Sequence, residues 1–118
     1  MFFPESQVKI WLYRKPVDMR KSYDGLSALV KHQLLKNPLS GQLFVFINRR
    51  GTHLKVLYFD RSGYCIWMKR LEQGQFRYRT SGGDDKQILS GTELKLLLEG
   101  IEIKNTRQYK RYTHAPIA

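Results

Sequence analysis

Cysteine occurs once in the 118 residues, at Cys65, so neither an internal disulfide nor a four-cysteine metal site can form, which suits a reducing compartment. No apolar stretch approaches the roughly 18 residues of a membrane span. The opening MFFPESQVKIWLYRK breaks its apolar run at Pro4 and Glu5, short of a secretory signal. A soluble, cytoplasmic protein without membrane contact is therefore expected. No internal repeat is present. Acidic residues are also scarce: 10 Asp and Glu stand against 21 Lys and Arg, for a formal charge of +11 and a pI near 10.0. Such a surface attracts polyanions, nucleic acid above all, or else matches acidic surfaces on partner proteins.

Catalytic apparatus is missing too. A two-metal nuclease site needs several converging carboxylates, and the candidates are Asp18, Asp24, Asp60 and Glu72. Asp60 suits the first position of a turn, Asp24 suits a helix N-terminus, and Glu72 lies in the charged run KRLEQGQ. Only Asp18 lacks an obvious structural task, and one carboxylate makes no site. The histidines, His32, His53 and His114, are not spaced with Cys65 in a zinc pattern. No GxxxxGK phosphate loop exists. The expectation is a protein with no catalytic residue, no metal and no cofactor.

What is there reads as alternating structure. In QVKIWLY (residues 7–13), Val8, Ile10 and Leu12 share one face of a strand, while Lys9, Trp11 and Tyr13 share the other. Pro16 stops it. Tyr23, Leu26, Leu29, Val30 and Leu34 then recur at helical steps, with Ser22 as the expected cap and Asn37-Pro38 as the expected stop. Residues 42–69 read as three strands, QLFVFI, LKVLYF and YCIWMK, joined by NRRGTH and by a DRSG turn in which Gly63 is expected at positive φ. Both faces of these strands are apolar, so both need cover. A further short strand is expected at QFRYR (75–79), with Phe76 and Tyr78 inward, followed by a polar loop at RTSGGDDKQ. In SGTELKLLLEGI, Ser90 and Glu93 have capping-box spacing, Leu94, Leu97, Leu98 and Ile101 form a stripe, and Gly100 marks the end. The pattern predicts one α+β domain over residues 1–103, an antiparallel sheet of four or five strands with a meander at 42–69, packed with helices at about 22–36 and 91–100. A basic, flexible tail is expected over 104–118.

The cations gather in groups. Segment 49–80 carries eight basic and two acidic residues, and 104–118 carries four and none. Arg49, Arg50 and Lys55 belong to one hairpin tip, Lys69 and Arg70 follow the third meander strand, and Arg77 and Arg79 share one face of the next segment. Lys104, Arg107, Lys110 and Arg111 lie in the tail. With Arg20 and Lys21, these are the candidate phosphate-binding residues. Tyr13, Tyr58, Trp67 and Tyr78 could offer stacking surfaces, although aromatic residues on strands usually pack in a core.

The succession DMRKSYDGL (18–26), NPLSGQLFVFINRRG (37–51), KVLYFDRSGYCIWMKRLEQGQF (55–76) and LSGTELKLLLEGI (89–101) closely resembles the TnpB accessory proteins, or second-open-reading-frame proteins, of the insertion sequence 66 family. It spans about Val8 to Ile101 in the family's own order. Asp18, Met19, Asp24 and Gly25 fall in its most recognisable motif, and Ser22 stands where the family usually has Gly. The resemblance implies a small mobile-element protein working beside a separate transposase and a second accessory protein; the basic charge adds DNA, at the element ends, as the expected ligand. The family offers no catalytic residues to carry over. Three readings follow: a DNA-binding accessory factor, a module docking on the transposase, and a metal-dependent nuclease centred on Asp18, the last disfavoured by its lone carboxylate.

Overall fold

Seven elements follow one another in the computed structural model, which describes residues 7–78 and 83–101. They are β1 (Ile10–Tyr13), α1 (Tyr23–His32), β2 (Leu43–Ile47), β3 (His53–Asp60), β4 (Gly63–Arg70), β5 (Lys86–Leu89) and α2 (Gly91–Leu98). The five strands form one sheet in the order β4-β3-β2-β1-β5. The expected meander is β2-β3-β4, antiparallel throughout. One pair departs from the antiparallel expectation. β1 and β2 run parallel, Leu12 opposite Val45, because α1 carries the chain back along the sheet between them, which makes the sheet mixed.

The apolar content of both strand faces is matched by a core on each side. On one face α2 contributes Leu94, Leu97 and Leu98 against Ile10, Leu12, Val45, Ile47, Leu54 and Val56. On the other, Leu26, Val30 and Leu34 from α1 and the chain just after it cover Tyr13, Phe44, Phe46 and Leu57. Strand alternation sends neighbouring side chains to opposite faces, so β2 is buried at all five of its positions.

The helix ends repay comparison with their sequence signals. α2 has its full capping box: Glu93 N donates to Ser90 Oγ at 3.0 Å, and Ser90 N donates to Glu93 Oε1 at 2.8 Å. Ser22 precedes α1, but its side chain makes no cap bond. α1 also stops well before Pro38. Leu34 N reaches Leu29 O and Lys36 N reaches Val30 O, and Leu35 adopts a φ of 57°. At the β3–β4 turn Arg61, not Gly63, takes the positive φ, at 56°, since the turn needs that geometry at the residue following Asp60.

The fifth strand is not QFRYR. Phe76 does turn inward, at 2% exposure, but Phe76 N donates to Gly51 O and Leu71 N to Thr52 O. Segment 71–76 thereby closes over the β2–β3 hairpin and forms no further strand of the sheet. The edge strand is Lys86–Leu89, antiparallel to β1. It lies inside a polar stretch read as loop and helix approach, and its four residues offer only Ile88 and Leu89 as strand signals.

Candidate nucleic-acid interface

Strand directions bring the chemistry to one end of the sheet. The C-terminal ends of β1, β2 and β4 and the N-terminal ends of β3 and β5 meet there. That end carries the loop after β1, the Asn48–Thr52 hairpin tip and the segment after β4. Thus DMRK and NRRG, almost thirty residues apart in sequence, become neighbours. Val17 N donates to Ile47 O at 2.9 Å, tying the loop after β1 to the end of β2 outside the strand register. The chain then swings away from the sheet. Pro16, Val17, Asp18 and Met19 on one side and Asn48, Arg49 and Arg50 on the other line an open pocket of about 430 Å³.

The DMRK loop is closed by its own charges. Asp18 Oδ1 accepts from Arg20 N at 2.9 Å and from Arg20 Nε at 3.1 Å, and its Oδ2 accepts from Arg20 Nη2 at 2.6 Å. The hydrogen bonds from Arg20 hold the Asp18 carboxyl at about 2, well below its ordinary value. Lys21 N donates back to Asp18 O at 3.1 Å. Beneath the loop, Lys55 is buried at 9% exposure. Its Nζ donates to Met19 O at 2.9 Å and to Lys21 O at 2.8 Å. Lys55, expected as a phosphate contact, is spent inside as the post on which this loop stands. Gly25 explains itself in the same way. A Cβ there would lie 3.2 Å from Cβ and Cγ of Lys21, so the missing side chain leaves room for the Lys21 stem against α1.

The hairpin tip is braced from within and from outside. Asn48 Oδ1 accepts from Thr52 N at 2.9 Å and from His53 N at 3.1 Å. Thr52 Oγ1 and His53 Nδ1 lie 2.9 Å apart, and Asn48 Nδ2 reaches both. Gly51 has a φ of +74°, and a Cβ there would stand 3.2 Å from Phe76 O. Only glycine accepts both the dihedral and the contact. Gln75 Nε2 donates to Arg50 O at 2.8 Å, joining the tip to the segment that overlies it.

The remaining predicted cations sort themselves by partner. Arg20 is 90% exposed although paired with Asp18. Lys69 Nζ donates to Leu98 O at 2.8 Å, closing the end of α2. Arg70 pairs with Glu72 at 2.9 Å. Lys21, Arg49, Arg50 and Arg77 are exposed and make no side-chain hydrogen bond or ion pair among the described residues. Arg49 also acts on Tyr78, opposing the rise that burial gives its hydroxyl pKa. Arg79 and the tail residues Lys104, Arg107, Lys110 and Arg111 lie outside the described residues. Asp24 sits in the first turn of α1. Met19 packs against the α1-side core, Tyr13 belongs to it, and Tyr58, Trp67 and Tyr78 pack against the α2-side core. These aromatics serve packing first.

Sequence reasoning passed over Asn48, Thr52 and His53, which fix the tip. The available signal was Asn at the start of a hairpin loop, where its carbonyl mimics a backbone acceptor. It also passed over Lys15, which pairs with Asp85 at 3.3 Å. Among the described residues no three His, Cys, Asp or Glu side chains gather as a metal site, and no helix is long and apolar enough to cross a membrane.

No solved structure matches the chain. Two proteins of Sinorhizobium fredii (strain NBRC 101917 / NGR234) are similar along most of their lengths. The uncharacterized protein y4hO is 37% identical over 106 residues, covering 90% of this chain and 91% of the relative. The uncharacterized protein y4jC is 35% identical over 102 residues, covering 86% of each. The family model described as IS66 Orf2 like protein matches residues 8–108, a span that takes in every strand and helix described above, and the chain accordingly belongs to the IS66 Orf2-like family, whose members have an accessory role in transposition.

Proposed function

We propose that this protein is a non-catalytic accessory factor that binds DNA at the ends of its mobile element through the hairpin-tip end of the sheet, and so assists a separate transposase. The observation that carries the reading is the convergence of Asp18 and Met19 with Asn48, Arg49 and Arg50 on one pocket, with Arg49 and Arg50 exposed and unpaired among the described residues. Their hairpin tip is braced by bonds from the backbone of Thr52 and His53 to Asn48 Oδ1 and from Gln75 Nε2 to Arg50 O. Preorganised cations lose little freedom on meeting a phosphate, and that saving appears as affinity. The net charge of +11 supports the same reading. The direct contacts are Arg20, Lys21, Arg49, Arg50 and Arg77, with Arg70, Arg79 and the tail cations as outer contacts. Lys55 and Lys69 act from within.

Five phosphate contacts give a log–log salt slope of roughly −4 to −5. A titration of element-end DNA against random DNA, repeated across salt concentrations, measures this slope and the specificity ratio together. Absence of binding to either DNA at low salt would overturn the proposal. A second reading has one supporting observation: the Asp18–Arg20 and Arg70–Glu72 pairs make part of this end locally neutral, as suits a protein partner. Docking on the transposase that survives nuclease treatment and is lost when Arg49 and Arg50 are reversed to Glu would favour it.

A further inference from the structure

The pocket between the 16–19 loop and the 48–50 tip has a wall that a pure phosphate site would not have. A site for backbone phosphate gains from cations and loses from any nearby carboxylate. Asp18 nevertheless stands on the wall with its side chain 46% exposed, its charge matched by Arg20. Apolar groups share the lining: Pro16 is exposed, Met19 half-buried and Val17 buried. Arg49 and Arg50 line the side opposite in sequence, from the hairpin tip. Apolar surface for a base face, a carboxylate able to accept from an amino group and guanidinium groups able to hold the flanking phosphates are the features that hold an unstacked nucleotide. The volume of about 430 Å³ falls in the range of pockets that take small organic ligands, about 300–1,000 Å³.

Resting on the reading that this end meets DNA, we propose that the pocket takes one unpaired nucleotide of a frayed or single-stranded DNA end. The base lies against Pro16 and Met19 with its amino edge toward Asp18, and the flanking phosphates lie on Arg49 and Arg50. The protein on this account distinguishes an opened end from intact duplex. It does so without reading sequence along the groove.

The test is fluorescence anisotropy of the full chain at low salt with a blunt duplex, the same duplex bearing a short unpaired deoxyadenosine extension, and the same extension made abasic. The unpaired extension should bind about 5- to 10-fold tighter than the blunt duplex, the lower part of the range for one stacked base. The abasic extension, which keeps its phosphates, should lose that gain. Pro16→Ala, which removes the ring that the base lies against and no cation, should leave blunt-duplex affinity within about two-fold and remove most of the gain. Equal binding of blunt and extended duplexes, or an abasic extension as good as the intact one, would overturn this inference while leaving DNA binding standing. A gain untouched by Pro16→Ala would remove it from this pocket. No binding to any of the three DNAs would overturn the underlying reading as well.

Discussion

The two hairpins of the meander differ in how much structure surrounds them. Between β3 and β4, Asp60 pairs with Gly63 across Arg61 and Ser62. Among the described residues no side-chain hydrogen bond of Asp60, Arg61 or Ser62 braces that turn, and Arg61 carries a left-handed φ without the glycine that would suit it. Between β2 and β3, the Asn48 side chain bonds the backbone at two points, Gly51 meets the strained position, and segment 71–76 closes over the tip. Both turns reverse the chain equally well. The additional order at one of them is therefore not needed for folding the sheet, and it falls where two unpaired arginines project. Held backbone beneath exposed cations is what preorganised recognition requires.

The largest expected effect is at Lys55. Lys55→Met keeps the length of the side chain and orphans the carbonyls of Met19 and Lys21, which the ammonium now satisfies. Leaving buried acceptors unpaired costs about 1–3 kcal/mol, which in a chain of this size lowers Tm by about 4–12 °C. Thermal unfolding followed by circular dichroism measures it. The DMRK loop should loosen with it, so DNA affinity should fall although the residue itself never faces solvent. A Lys55→Met protein as stable as the parent would show that the loop stands without its post.

Arginine removal sharpens the contrast between the tips without touching the fold. Arg49→Ala with Arg50→Ala should reduce the magnitude of the log–log salt slope by about 2, one for each lost phosphate contact. Arg61→Ala removes a cation from the other hairpin and should leave the slope unchanged. All three positions are exposed, so stability should stay within about 0.5 kcal/mol for each change. A slope that fell equally for the Arg61 variant would mean that binding follows net charge and not the braced tip.

Much of this arrangement was legible in the sequence, and the rest was not for reasons that can be named. The meander, the two-sided burial and α2 follow from alternation, a helical stripe and a capping box, all local signals. The resemblance pointed to DMRK, but its meaning depended on Lys55, 34 residues beyond the Lys21 carbonyl that it holds. A lysine in an apolar strand reads as an outward cation until the neighbouring loop is seen to cover it. β5 escaped because its four residues draw their strand character from pairing with β1 and little from propensity. Segment 75–78 misled in the opposite direction. Its alternation is real, and Phe76 does face inward, but its backbone bonds go to the hairpin tip.

The smallest expected effect concerns acid. Asp18 is held at about 2 by the hydrogen bonds from Arg20, below the ordinary value of 3.8. Its folded pKa is depressed, so the stability it contributes is present above the unfolded value and is lost as pH falls through about 2. Asp18→Asn should therefore be the less stable protein at neutral pH, and its deficit should close as the pH falls from about 4 to about 2. The group is solvent-exposed, so the deficit should also shrink with added salt. Paired unfolding titrations of the two proteins across that window give the difference directly. A deficit that stayed constant through the window would mean that Asp18 closes its turn by shape, through the bond from the Arg20 amide, and that the guanidinium is free to serve a ligand.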